Sequence, residues 1–213
     1  KAAVASTEMK ALRLQMNPHF IFNALNSISD YISRNNIDRA NYYLVKFSRL
    51  MRTTLENSEH SEVDLATDLE ALEAYMQLET LRLGNKFSYK IEVDKNIDPE
   101  NTMVPPMLFQ PFVENSIVHG FAGKNEQGQI SIRIQARDKK VHYVIEDDGV
   151  GLARSENANS FRGSNNKKSM GLKITRERID IINSTQKTDA SVEITDTGKG
   201  TRATVILPLQ LSV

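Results

Sequence analysis

The chain lacks cysteine, and that absence removes several kinds of chemistry at once. With no cysteine among its 213 residues, it has no disulfide framework and no thiolate to act as a nucleophile or a metal ligand. The same absence favours a cytoplasmic location. The formal net charge is +0, from 27 basic and 27 acidic side chains, so the charge balance gives no reason to expect binding to nucleic acid or to an anionic membrane.

Long apolar runs are also missing. No uninterrupted stretch is long enough to cross a bilayer, and no signal peptide opens the chain. The sequence begins at Lys1 rather than methionine, so we expect a fragment of a longer protein, with any membrane segment upstream. The composition, 39% hydrophobic and 25% charged, is that of a globular protein with one large or two modest domains.

Residues 1–84 show the periodicity of packed helices, which predicts a helical dimerisation region. Asn36 or Asp38 is expected to cap the second helix, Ser61 or Asp64 to start the third, and Gly84 to end it. A short helical hairpin buries little surface alone, so we expect two copies to pair into a four-helix bundle. The predicted apolar seam consists of Ile21, Leu25, Ile28 and Ile32, then Ile37, Ala40, Leu44, Phe47 and Met51, then Leu65, Leu69, Leu72 and Met76.

Residues 85–213 change to a mixture of strands and helices, which predicts a separate α+β domain. Helices are expected over 107–119 and 171–184, and a long mobile loop over 153–169. Strands are expected at 87–93, 130–134, 141–145, 192–194 and 203–207. Together they predict an antiparallel sheet covered by helices on one face.

Short polar motifs interrupt this second domain. The motif Asp147-x-Gly149-x-Gly151 follows an apolar strand, and an acid delivered onto a glycine turn suits the binding of a flat, donor-bearing ring such as adenine. Alone, the same pattern marks ordinary turns. Gly171 opens a predicted helix, whose free N–H groups attract phosphates. Asn115 offers a neutral oxygen ligand to Mg²⁺ that is also held by phosphates.

A fourth motif, Gly198-x-Gly200-Thr201, follows near the end of the chain. The order of these four motifs resembles the N, G1, G2 and G3 boxes of the Bergerat-fold ATPases, the group that holds gyrase, certain heat-shock chaperones, mismatch-repair ATPases and histidine kinases. The resemblance covers about the last 130 residues. It implies an ATP-binding α/β sandwich in which Asp147 accepts the adenine amino group and Asn115 holds Mg²⁺. The further residues that it assigns to the nucleotide site are Gly149, Gly151, Gly171, Leu172 and Thr201.

Two positions depart from the histidine kinase pattern. Val118 stands where those kinases carry a basic residue, and Ser169 replaces the first glycine of the lid box. Phosphate neutralisation is then expected from His119, or from Lys167 and Lys168 in the loop. These departures leave open a nucleotide-binding dimerisation module without kinase activity.

The stretch from Gln15 to Ile28 resembles the phosphoacceptor box of LytS-type sensor histidine kinases, which also carry P-F-V-E-N-x-x-x-H-G, found here at residues 111–120. The helical period places His19 opposite Ile21, in a polar stripe with Asn23. An exposed neutral imidazole is a competent nucleophile toward a γ-phosphate. Asn23 can orient the ring, but Phe20 stands where many relatives have an acid, so no general base is assigned.

The combined prediction is the cytoplasmic core of a two-component sensor histidine kinase. It would autophosphorylate His19 with Mg²⁺ and ATP and pass the phosphoryl group to the receiver domain of a response regulator. The resemblance further implies a homodimer and a full-length protein in the cytoplasmic membrane. The other class considered is a Bergerat-type ATPase or a serine kinase. Pro111 opposes the ATPase, because gyrase-like enzymes have a water-activating glutamate at that position.

Overall fold

The structure is a computed structural model that describes residues 18–121, 124, 126–151 and 168–212. The described residues form two units, and we treat each by itself. The helical unit contains the residues up to Asn85 together with Val104–Met107, and the sheet unit contains Lys86–Met103 and the residues from Leu108 onward. The segment Val104–Met107 therefore groups with the helices, although a single border near residue 84 was expected.

The described part of the helical unit contains three helices: α1 (Pro18–Ser33, the first described residues), α2 (Ile37–Asn57) and α3 (Leu65–Arg82), the last preceded by the short strand β1 (Val63–Asp64). Asn36 caps α2 by accepting the backbone N–H of Arg39 at 3.3 Å, and Asp64 caps α3 by accepting that of Thr67 at 2.7 Å. Gly84 follows α3 with a φ of +63°, the left-handed conformation that suits glycine after a helix.

The interior of the helical unit differs from the predicted seam in α1 and α2. Phe20 and Ala24 of α1 are buried, whereas Leu25 and Ile32 are 50% and 54% exposed. In α2 the buried apolar residues are Ala40, Tyr43 and Leu50, whereas Ile37 and Leu44 are exposed. Aromatic packing explains why Phe20, rather than the predicted residues, is buried. The centroid of its ring lies 5.0 Å from that of Tyr75 and 5.9 Å from that of Phe47. The α3 seam is largely confirmed.

The sheet unit is built on five strands in the order β2-β4-β5-β7-β6: β2 (Phe87–Val93), β4 (Gly128–Arg137), β5 (Lys140–Asp147), β6 (Ser191–Asp196) and β7 (Thr201–Pro208). The antiparallel prediction is wrong for one pair, because β2 runs parallel to β4. A helix separates these two strands along the chain, and such a crossover allows parallel pairing. Strands β3 (Thr102–Val104) and β8 (Gln210–Leu211), not foreseen, pair antiparallel.

One face of this sheet is apolar and the other is charged. Ile130, Ile132, Ile134, Val141, Tyr143, Ile145, Val205 and Leu207 are buried, alternating along their strands with more exposed residues. The ring of Phe109, just before helix α4 (Gln110–Asn115), stacks 3.7 Å from the ring of Tyr143. On the opposite face Glu146 pairs with Arg133 and Arg202. The α+β prediction is therefore confirmed.

Two of the predicted helices begin at residues other than the expected ones. The helix expected from Met107 starts at Gln110, because Met107 has a φ of +56° and donates its N–H to Asp68 Oδ1 at 2.7 Å. The helix expected from Gly171 is α5 (Lys168–Gln186), so Gly171 lies inside its first turn. The loop was predicted over residues 153–169, and its part up to residue 167 lies outside the described residues. Among the residues described, no helix is long and apolar enough to span a membrane.

Candidate functional site

The carboxylate of Asp147 is the centre of the candidate site in the sheet unit. It lies at the end of β5, half-buried, and accepts hydrogen bonds from three donors. Oδ1 accepts the backbone N–H groups of Gly149 at 2.9 Å and Thr201 at 3.2 Å, and Oδ2 accepts the hydroxyl of Ser116 at 2.7 Å. A carboxylate has about four lone-pair sites, so these three donors leave one acceptor position, on Oδ2, that no other described residue fills.

Glycine is required where other backbone segments approach Asp147. A Cβ on Gly149 would lie 2.5 Å from the carbonyl oxygen of Gly120, and that oxygen accepts the N–H of Val150 at 2.9 Å. A Cβ on Gly200 would lie 1.8 Å from the backbone oxygen of Asp147. These contacts bring the loop after β5, the loop before β7 and the end of the Asn115 motif to one place.

The Asn115 motif ends in a single π-helical turn. Helix α4 ends at Asn115 and continues as a π turn over Ser116–Gly120, closed by the N–H of Phe121 bonding to the Ser116 carbonyl oxygen at 3.0 Å. Such turns recur at functional sites because one extra residue re-aims the side chains. Asn115 and His119 are both half-buried in this segment.

The fit of Mg²⁺ to this segment rests on Asn115. In the described part of the chain, no group of three or more His, Asp or Glu side chains is placed to hold a metal unaided. Mg²⁺ bound with a nucleotide takes most of its ligands from phosphates and water, so one neutral protein oxygen is a sufficient contribution. The residues present therefore fit a metal that arrives with its nucleotide.

The structure describes the remaining predicted site residues in less detail. Gly151 is buried with a φ of +75°, and a Cβ there would lie 2.8 Å from Asp196 Oδ2. Gly171 and Leu172 lie in the first turns of α5, and their side-chain surroundings are outside the described structure. Ser116 and Asp196 also belong to the site and were missed. A serine in a helix gives no signal of its own, because the usual interpretation is a bond to the preceding turn.

His19 is placed in the helical unit as the sequence predicts. It is exposed on α1, and the Asn23 amide nitrogen lies 3.2 Å from its Nδ1 and 3.5 Å from its Nε2. The same stripe continues through the exposed residues Asn26 and Asp30. A carboxamide has both a donor and an acceptor, so Asn23 can hold either tautomer of the ring.

A polar depression of about 250 Å³ follows Asn23 along this stripe, and its lining consists of Asn23, Asn26, Ser27, Asp30, Tyr31 and Arg82. Arg82 is fixed there by a two-point ion pair with buried Glu79, with Nε 2.9 Å from Oε1. Its bond to Glu79 raises the pKa of Arg82. The surface below His19 therefore combines amides, a hydroxyl and a fixed guanidinium.

Family models match both units of the chain. The model described as "Histidine kinase" matches residues 7–87, and the one described as "Histidine kinase-, DNA gyrase B-, and HSP90-like ATPase" matches residues 106–211. The histidine kinase domain of the blue-light activated histidine kinase from Erythrobacter litoralis has the same fold. It aligns with a TM-score of 0.52 at 14% identity, over 97% of this chain and 96% of that one.

Curated relatives include the sensor protein LytS of Enterococcus faecalis, 33% identical over 145 residues, which are 68% of this chain and 24% of the relative. The sensor histidine kinase YpdA of Escherichia coli is 34% identical over 145 residues, 68% of this chain and 25% of the relative. The chain thus spans about a quarter of the length of these relatives. Because both family models match in order and sensor kinases align over two thirds of the sequence, the chain belongs to the LytS-type sensor histidine kinases.

Proposed function

We propose that this chain is the catalytic core of a sensor kinase that transfers the γ-phosphoryl group of ATP to His19. The observation that carries the proposal is the Asp147 carboxylate, fixed by three donors with one acceptor position left. A fixed acceptor of this kind is matched to the exocyclic amino group of adenine. Family membership of both units supports the same assignment.

In the nucleotide site, Asp147 would accept the adenine amino group, and Gly149, Gly151 and Thr201 would shape the walls around the base. Asn115 would hold Mg²⁺, with His119 beside the phosphates and Gly171 and Leu172 at the start of α5. When bound, Mg²⁺ neutralises charge that develops on the phosphates during transfer. The chain's own contribution to the rate is then to position its groups.

In the helical unit, the nucleophile would be the unprotonated ring nitrogen of a neutral His19. That nitrogen forms a bond to the γ-phosphorus while the bond to the bridging oxygen breaks, and ADP leaves with the bonding electrons. The other ring nitrogen keeps its proton during the step. Asn23, whose carboxamide lies beside Nδ1, would hold the ring orientation by accepting the Nδ1 proton with its amide oxygen, which leaves Nε2 as the nucleophile.

A second copy of the chain would cover the apolar stripes that α1 and α2 leave exposed. On α1 the exposed stripe contains Phe22, Leu25 and Ile32, and on α2 it contains Ile37, Leu44 and Leu55. Soluble monomers rarely leave such contiguous apolar surface in water. The seam predicted from the sequence contains Leu25, Ile32, Ile37 and Leu44, so we assign that seam to a homodimeric four-helix bundle.

The phosphoryl group on His19 would pass to an aspartate in the receiver domain of a response regulator. The polar depression below His19 supports this step, because it gives a second protein a surface of donors and acceptors next to the phosphorylated ring. Incubating labelled chain with receiver domains tests it: the label should move to a receiver and become base-labile. Retention of all label on the chain with every receiver would contradict it. Attachment of the full-length protein to the cytoplasmic membrane is part of the same proposal.

The fate of the γ-phosphate separates this function from its rivals. Purified chain is incubated with Mg²⁺ and ATP labelled at the γ-position, and protein-bound label and free phosphate are both measured. A histidine kinase accumulates acid-labile, protein-bound label. Free phosphate without protein label would indicate a hydrolase, acid-stable label a serine kinase, and bound but unreacted ATP a nucleotide-binding module. Pro111 in the first turn of α4 has no group that could activate water, so little free phosphate is expected.

A further inference from the structure

One partner of the proposed purine-binding carboxylate stands at a position that the motif over residues 111–120 leaves unspecified. Ser116 is only 5% exposed, and its hydroxyl lies 2.7 Å from Asp147 Oδ2 and 3.1 Å from the carbonyl oxygen of Phe112. A hydroxyl has a single proton and can donate it to only one of these oxygens. The carboxylate is both the closer and the charged acceptor, so the proton is donated to Asp147.

The two carboxylate oxygens are used differently. Oδ1 accepts two backbone N–H groups, those of Gly149 and Thr201, which occupy both of its lone pairs. Among the described residues, Oδ2 accepts only the Ser116 hydroxyl, which leaves it one lone pair. The oxygen that remains open to a ligand is therefore the one whose direction Ser116 sets.

Ser116 reaches this oxygen from an α-helical position at the end of α4. Its N–H bonds back to the carbonyl oxygen of Phe112, and its side chain faces β5. Consecutive residues of an α-helix point about 100° apart, so Asn115 and Ser116 face different surroundings from adjacent positions. One segment thus carries both the proposed metal ligand and the support of the base-binding acid.

We propose that Ser116 is a positioning residue that aims Asp147 Oδ2 at the 6-amino group of adenine and so makes the site select 6-amino over 6-oxo purines. A 6-oxo purine presents an oxygen acceptor to the same carboxylate, and two acceptors without a proton between them repel each other. Sites that hydrogen-bond one group in this way discriminate strongly against analogues that lack it. The inference rests on the nucleotide site of the proposed function and assigns its base selectivity.

Dissociation constants for ATP and ITP, which differ at the 6-position, test the assignment in the presence of Mg²⁺. For Ser116→Ala we expect ATP binding to weaken roughly tenfold, the size of a lost hydrogen bond to a charged group. ITP binding should change by less than about twofold, because ITP does not use the aimed oxygen. The ATP-over-ITP preference should therefore fall about as much as ATP affinity. Ser116→Cys keeps the side-chain size with a weaker donor. Its ATP affinity and its ATP-over-ITP preference should lie between those of wild type and those of Ser116→Ala.

Ser58→Ala is the matched control, because Ser58 is a buried serine of the helical unit whose hydroxyl donates to the Leu55 carbonyl oxygen at 2.7 Å. It should leave both constants unchanged. Equal weakening of ATP and ITP in Ser116→Ala, or no change in either, would overturn the positioning role and leave the proposed kinase intact. If Ser116→Ala does not fold, an unchanged ATP-over-ITP preference in Ser116→Cys overturns it equally. A wild-type chain that binds neither nucleotide would overturn the proposed function and this inference together.

Discussion

At the scale of single residues, the site depends on how one carboxylate distributes its acceptor positions. Asp147 satisfies three donors from three separate segments, so it holds those segments together and still keeps one position for a ligand. The glycines around it are constrained by contact distance as much as by conformation, since Cβ atoms at Gly149 and Gly200 would overlap backbone. The proposed recognition of adenine and the local packing therefore depend on the same residues.

Asp147→Asn tests the residue directly. The change removes the charge and places an amide where an acceptor is needed, so ATP should bind roughly 10- to 100-fold more weakly. Equilibrium binding of ATP with Mg²⁺ measures the effect. Asp189→Asn is the control, because Asp189 is an exposed acid paired with Lys140, and it should not alter binding. Equal ATP affinity in Asp147→Asn and wild type would remove the carboxylate from the proposal.

The sequence predicted Asp147, the glycines and Thr201 because they stand in a fixed order of short motifs. It did not predict Ser116 or Asp196, whose contacts come from elements far apart in sequence. Ser116 bonds across 31 positions, and Asp196 at the end of β6 lies beside Gly151 although β7 separates β6 from β5 in the sheet. Tertiary contacts of this kind leave no periodic or compositional trace in a single sequence.

At the scale of elements, helix α1 presents three faces that differ in burial and polarity. Phe20 and Ala24 pack inside the helical unit, Leu25 and Ile32 form an exposed apolar stripe, and the third face carries His19. Helical periodicity located the apolar stripe and the polar stripe correctly. It could not tell which apolar stripe packs within the chain, because both have the same period and the choice depends on the aromatic packing around Phe20.

Leu25→Glu tests the assignment of the exposed stripe to a second copy. A charge at the centre of a symmetric interface is buried twice, so the dimer dissociation constant should rise more than tenfold. Light scattering or sedimentation over a range of concentrations measures it. Asn26→Glu places the same charge on the neighbouring polar stripe and should leave the dimer intact. A wild-type chain that stays monomeric at high concentration would contradict the assignment.

The interior of the helical unit also predicts a response to alkaline pH. Burial, with a smaller effect of the Glu79 carboxylate, raises the pKa of Tyr43 to about 12 from its ordinary value of 10.0. The folded chain therefore holds this proton more tightly than the unfolded chain. Its contribution to stability is complete below about pH 10 and is lost as the pH rises through about 12, by roughly 2 kcal/mol.

Denaturant unfolding between about pH 9 and pH 12 checks this dependence. Tyr43→Phe should flatten the fall in the free energy of unfolding over that range, because it removes the titrating group. Tyr42→Phe is the matched control, since Tyr42 is an adjacent tyrosine that is mostly exposed, and its slope should match wild type. Identical slopes for wild type and Tyr43→Phe would refute the assignment.

At the scale of the whole molecule, the chain combines the proposed nucleophile on a helix with the proposed nucleotide site on a sheet. Composition and periodicity predicted the α+β class and the change from helices to strands near residue 84. They did not predict that Val104–Met107 would group with the helices, because the bond from the Met107 N–H to Asp68 spans 39 positions. Composition and periodicity also did not predict the parallel pairing of β2 with β4, because that pairing likewise joins segments that are distant in sequence.

The most direct test of the account locates the phosphoryl group after reaction with ATP. We expect acid-labile, alkali-stable phosphate on the peptide that contains His19, and none in His19→Gln, which should still bind ATP with wild-type affinity. His60→Gln, a change at another exposed histidine of the helical unit, should be phosphorylated normally. Phosphate that survives acid, or that remains in His19→Gln, would contradict the central claim that this histidine receives the γ-phosphoryl group.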